Sequence, residues 1–107
     1  MSLQVASVSF EMVAALKPLI ARIKRHDRSL ADQLVRAASS VALNIAEAEY
    51  SDPGNKRARF FTAAGSANES LAALRVAVAW GYFAQGEAEA AEGLVRRVLA
   101  MLWRLTR

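Results

Sequence analysis

Between Leu30 and Glu47 the chain reads LADQLVRAASSVALNIAE, which sets Arg36, Ser40, Asn44 and Glu47 at steps of three and four. On a helix these four side chains fall within about 80° of one another. A guanidinium, a hydroxyl, an amide and a carboxylate on one line can bind a ligand, support acid–base chemistry, or pair with a second polar line. Beside them runs an apolar stripe of Leu30, Leu34, Ala37, Val41, Ile45 and Ala48, the core-facing pattern of a bundle helix. Polar groups next to a core are costly unless partnered. The identity of the partner therefore separates a chemical site from architecture.

The other reactive groups are few. The chain has no cysteine, which excludes disulfides, thiolate metal sites and cysteine nucleophiles. His26 is the lone histidine, and the Glu-x-x-His pairs that carry metals in helical bundles are absent, so it reads as a loop residue. Glu87, Glu89 and Glu92 read as the acidic first turns of a helix rather than a carboxylate dyad. Glu47, Glu49 and Asp52 read as local acids facing Lys56 or Arg57. No glycine-rich phosphate loop or serine triad is present. The expectation is a protein with no catalytic residues, no metal and no cofactor, and hence not an enzyme.

The elements that position the polar line are helices. Of 107 residues, 23 are Ala, 12 Leu and 11 Arg, against two Pro and five Gly; these are strong helix formers. Four segments are expected, at about 3–26, 29–50, 53–80 and 86–105, in one domain over 1–107. Pro18 lies inside the first and predicts a kink. Ser29, with Asp32 three residues on, reads as the cap of the second. Asp52-Pro53 suits the start of the third and Gly81 its end. All the links are short, which predicts an all-α, antiparallel up-down-up-down four-helix bundle.

Folding the second and third segments about their turn brings to one level those residues whose numbers sum to roughly 105, because both helices rise about 1.5 Å per residue. Arg36 then meets Glu69, Ser40 meets Gly65 or Ser66, and Asn44 meets Phe61 or Thr62. The expectation is a structural polar network of Arg36, Ser40, Asn44, Glu47, Ser66 and Glu69, with a partly buried Arg36–Glu69 ion pair that fixes register. A catalytic cleft is the disfavoured alternative.

The last two segments carry more apolar surface than one core needs. In the fourth, the large apolar residues span about 200°, against somewhat more than about 100° for a single stripe. Phe61, Val76, Trp80, Leu99 and Trp103 are the candidate subunit interface of a homo-oligomer.

At this point the residues resemble a known family: the bacterial four-helix-bundle proteins encoded by intervening sequences within 23S rRNA genes. The likeness rests on Leu30, Gln33, Arg36, Ala37, Ala38, Ser40, Val41 and Asn44-Ile45-Ala46-Glu47. It continues in Ala63, Gly65-Ser66, Glu69, Leu74, Ala77 and Gly81-Tyr82, and covers about residues 10–105. Ala48 and Ser70 depart from the usual glycine and leucine, and the first segment is divergent. The resemblance implies an antiparallel bundle and, in some members, a homopentameric ring. It also implies kinship with accessory proteins of diversity-generating retroelements, basic rings that bind a reverse transcriptase and nucleic acid.

The net charge of +4 and pI near 10.1 agree with a nucleic-acid partner. Lys17, Lys24, Arg25 and Arg28 cluster near the first turn, and Arg96, Arg97, Arg104 and Arg107 lie along the fourth segment. Of these, Lys24, Arg25, Arg28, Arg96, Arg97, Arg104 and Arg107 are the candidate nucleic-acid contacts. Ordinary solvated faces explain the same residues equally well. Five subunits would carry about +20. The N-terminus lacks a signal-peptide pattern, and Arg75 interrupts the longest apolar candidate before the roughly 18–20 residues needed to span a bilayer, so a cytoplasmic protein without a membrane partner is expected. The expected role is a non-enzymatic oligomeric scaffold that binds RNA or DNA backbone, or a nucleic-acid-handling protein such as a reverse transcriptase. The alternative is a pure protein–protein interaction module.

Overall fold

Helix-forming composition, four caps and short links produce four helices: α1 (Ser2–Lys24), α2 (Arg28–Ala48), α3 (Pro53–Trp80) and α4 (Gln85–Thr106). This computed structural model describes residues 2–107, and side chains from Gln4 onward. Met1, the first residue of the expected domain, lies outside the described residues. No strand occurs among them. α1 packs on α2, α2 on α3, α3 on α4, and α4 back on α1, so the helices stand at the corners of a square. Short connections make neighbours antiparallel, and the molecule measures 42 × 23 × 19 Å.

The caps explain where each helix begins and ends. Asp52 caps α3, its carboxylate accepting from the Asn55 amide at 3.0 Å, with Pro53 in the first helical position. α2 differs from expectation. Its cap is Asp27, which accepts from the Leu30 amide at 3.0 Å, and Ser29 is already helical. Two consecutive turns therefore share one residue: the Asp27 amide closes α1 on the Ile23 carbonyl at 2.8 Å while its side chain opens α2. α3 ends at Gly81, φ 81°, with the Gly81 and Tyr82 amides bonded back to Val78 and Ala77 in a Schellman turn. α4 has Ala84 at its cap position, and Glu87 reaches back to the Ala84 amide at 3.0 Å.

The core is one cluster drawn from all four helices. Val5, Met12, Leu16 and Ile23 of α1 meet Leu34, Val41 and Ile45 of α2, Phe60 and Leu74 of α3, and Val95, Val98 and Leu102 of α4. α3 contributes mostly alanines, which lets α2 and α3 approach closely along the polar line. α1 runs unbroken through Pro18. One expectation is corrected here: Gln4–Lys24 of α1, mean hydropathy 1.2, is long and apolar enough by composition to cross a membrane. Among the described residues the stretch interrupted by Arg75 is not such a helix. The most apolar face of α1 nevertheless lies in the bundle core, where Val5, Met12, Leu16 and Ile23 are fully covered.

Candidate functional site

The polar line of α2 meets α3 in the expected register. Ser66 Oγ donates to Ser40 Oγ at 2.8 Å, across the helix pair. Asn44 Nδ2 donates to the Ser40 carbonyl at 2.9 Å and to Ser40 Oγ at 3.1 Å. Glu47 forms an ion pair with Arg59. The Ser40–Ser66 and Glu47–Arg59 numbers both sum to 106, one off the predicted level. Ser70, fully buried, is satisfied by donating to the Ser66 carbonyl at 3.0 Å. Thr62 instead turns to the Ala58 carbonyl of its own helix, at 3.2 Å, so Asn44 finds its partner on α2.

The Arg36–Glu69 ion pair does not form. Both residues line one cleft of about 590 Å³ between α2 and α3, with Gln33, Ser40, Ser66 and Val76, yet both are exposed and neither is ion-paired among the described residues. The physical reason is the position of the pair at the rim. An exposed pair gains at most about 1 kcal/mol and must hold two long side chains still. The sequence also pointed to Lys56 or Arg57 as partners for the acids near the α2–α3 turn. Arg59 takes that role for Glu47, while Arg57 Nε donates to the Thr106 carbonyl at 2.8 Å. Arg59 lies two residues beyond Arg57 and three beyond Lys56 on α3, and the register sum, applied to Glu47, points to it.

Of the candidate interface residues, Phe61, Val76, Trp80 and Trp103 are exposed, and Leu99 is not. Leu99 is only 9% exposed and belongs to the core. The wide apolar arc of α4 is consumed because α4 packs against both α3 and α1, and each neighbour takes part of the arc. Leu94, Met101 and Leu105 are likewise partly buried against the core. A second apolar face escaped the sequence reading. Phe10 and Leu43, 58% and 60% exposed, lie with Val13 and Val35 over the α1–α2 seam. These residues fall outside the core stripes of α1 and α2, and that surplus was the available signal. The α1–α2 seam lies across the square from the α3–α4 seam.

The basic residues separate into two groups. Lys24, Arg25 and Arg28 sit at the end of the bundle that carries the α1–α2 turn, beside His26, whose ring stacks on Tyr82 at 4.9 Å. Arg104 and Arg107 sit at the other end, and α4 spans about 33 Å between the ends. The clusters therefore do not merge. Arg96 is held by Glu92 at 3.0 Å, and Arg75 joins the same carboxylate at 3.5 Å. No carboxylate among the described residues pairs with Arg97, Arg104 or Arg107.

The ionisation pattern follows these contacts. Hydrogen bonds from Gln85 and Arg96 hold Glu92 below the ordinary carboxylate range. The bond from Arg22, helped by the Ala84 amide, does the same for Glu87. Burial, then the neighbouring Asp27 carboxylate, raises the Tyr82 phenol. None of these groups lies in the α2–α3 cleft.

Four antiparallel helices with a hydrogen-bonded polar seam between the middle two define the class: a small all-α bundle protein. The chain belongs to the 23S rRNA-intervening sequence protein family, whose model matches residues 1–104. Among solved structures it is similar to a protein of unknown function from the S23 ribosomal protein family of Bacteroides thetaiotaomicron. The TM-score is 0.89, covering 96% of this chain and 98% of that one. At 19% identity this is a likeness of fold. No curated protein matches the chain in sequence.

Proposed function

We propose that this protein is a non-enzymatic scaffold that assembles with copies of itself, as a pentameric ring, and binds an RNA or DNA backbone through arginines on α4. One observation carries the assembly. A bundle whose four helices already close one core still exposes Phe10, Val35 and Leu43 on one side and Val76 and Trp80 elsewhere. Apolar patches on different faces suit a head-to-tail contact, which closes into a ring when the rotation allows. The unpaired Arg97, Arg104 and Arg107 support the nucleic-acid role, as does the 23S rRNA in the family's name. A nucleic-acid-handling protein such as a reverse transcriptase is a further partner of the same surface, and the cytoplasm the expected compartment.

Light scattering tests the assembly. A particle near five times 11.6 kDa is expected, and a monomer at tens of micromolar would overturn it. Binding to a labelled RNA is expected to weaken steeply with salt, because neutralised phosphates release counterions. No RNA or DNA binding at low salt would favour the alternative, a protein–protein interaction module.

A further inference from the structure

We infer that the α3–α4 groove near the C-terminal end of α4 is a stacking site for a single-stranded polynucleotide, with Trp103 as the platform. The inference deepens the nucleic-acid reading above and rests on it. Arg96, Ala100, Trp103 and Arg107 recur at steps of four, three and four, so they form one stripe of α4 within about 60°. The stripe is about 16 Å long.

Across the groove, Phe61 of α3 meets the Trp103 ring edge-on, centroids 6.1 Å apart. Arg57 lies over the Phe61 ring at 4.9 Å and is tied to the Thr106 carbonyl. Phe61 thus has one face occupied by a guanidinium and serves to hold Trp103 at its edge. Trp103 remains 43% exposed, and the flanking Ala100 is small. Arg104 and Arg107 stand beside it without a carboxylate partner among the described residues. A fixed, half-exposed indole beside two free guanidiniums is what unpaired bases on a phosphate backbone need: a π-face for the base and cations for the phosphates. A duplex offers the cations' target but keeps its bases stacked internally, so the indole adds nothing there. The free arginines therefore favour a polyanion over an apolar partner, and the half-exposed indole favours a single strand over a duplex.

The test uses fluorescein-labelled rU12, dT12 and a 12-base-pair duplex in anisotropy titrations at low salt. Both single strands are expected to bind more tightly than the duplex, and neither binding more tightly would overturn the stacking site. Trp103→Ala is expected to weaken single-strand binding at least ~5-fold, the low end of one base–aromatic stack. Trp80→Phe keeps a large aromatic ring at position 80 and serves only to leave one indole in the chain. In Trp80→Phe, Trp103 is the sole indole, and its fluorescence is expected to quench on adding unlabelled dT12. Circular dichroism confirms that each variant is folded. Unchanged affinity in Trp103→Ala with binding lost in Arg104→Gln/Arg107→Gln would overturn stacking and keep backbone binding. A change in oligomer mass in Trp103→Ala would assign the aromatic pair to a subunit interface and overturn the inference. No binding of any oligonucleotide would overturn both this inference and the nucleic-acid role.

Discussion

The same chemical change, Gly→Ala, has opposite predicted effects at two places in this bundle. Gly81 ends α3 with φ 81°, and a Cβ added there meets nothing within 4 Å. The cost of Gly81→Ala is thus purely conformational, about 1–2 kcal/mol for an L-residue in left-handed backbone. Gly93 lies in mid-α4 with helical backbone, and its added Cβ also meets nothing within 4 Å. There the gain is about 0.5–1 kcal/mol, from helix propensity and a less flexible unfolded chain. At roughly 4–8 °C per kcal/mol for a chain of this size, Gly81→Ala should melt at least ~4 °C lower and Gly93→Ala about 2–8 °C higher. Thermal melts followed by circular dichroism at 222 nm, at two protein concentrations, make the measurement. The second concentration separates folding from any linked association. A neutral or stabilising Gly81→Ala would refute the Schellman-turn argument. A destabilising Gly93→Ala at both concentrations would show that the outer face of α4 is not open.

Three further outcomes follow from the caps, the seam and the carboxylates. Asp27→Ala should cost about 1 kcal/mol in urea denaturation, and Ser29→Ala only a few tenths, because Asp27 holds the Leu30 amide; equal costs would return the cap to Ser29. Ser66→Ala removes one hydrogen bond but leaves Ser40 with Asn44, so a loss of about 0.5–1.5 kcal/mol is expected; a loss above ~3 kcal/mol would mean the seam is a cooperative network. Glu87 and Glu92 have depressed folded pKa values, so the unfolded chain takes up protons first as the pH falls. Their contribution is complete above the ordinary value of 4.5 and is lost as the pH drops through the lower folded values. Glu87→Gln should flatten the acid limb of a pH–stability curve, and an unchanged limb would show that Arg22 does not act on it.

Much of the bundle was legible in the residues themselves. Helix number, the Asp52-Pro53 start and the Gly81 stop are local features set by backbone preference, and the structure keeps them. The register of α2 on α3 was legible too, because two straight helices of equal rise joined by a tight turn leave only one alignment. Asp27 escaped because Ser29 and Asp32 imitate a capping box. The choice between the two depends on where α1 ends, at the Ile23 carbonyl.

The four helices, their antiparallel order and the meeting of Ser40 with Ser66 follow from the residues alone, since period, caps and rise are properties of the chain. What each side chain faces around the helix axes is set by the packing of the bundle. Leu99 lies on the side of α4 turned toward the other helices, whereas Leu43 and Phe10 lie on the outer face of the α1–α2 seam. Arg36 and Glu69 share a cleft without pairing, because the rim is wet enough that water competes with the ion pair. Exposure depends on which helices stand side by side, and periodicity within one helix carries no information about its neighbours.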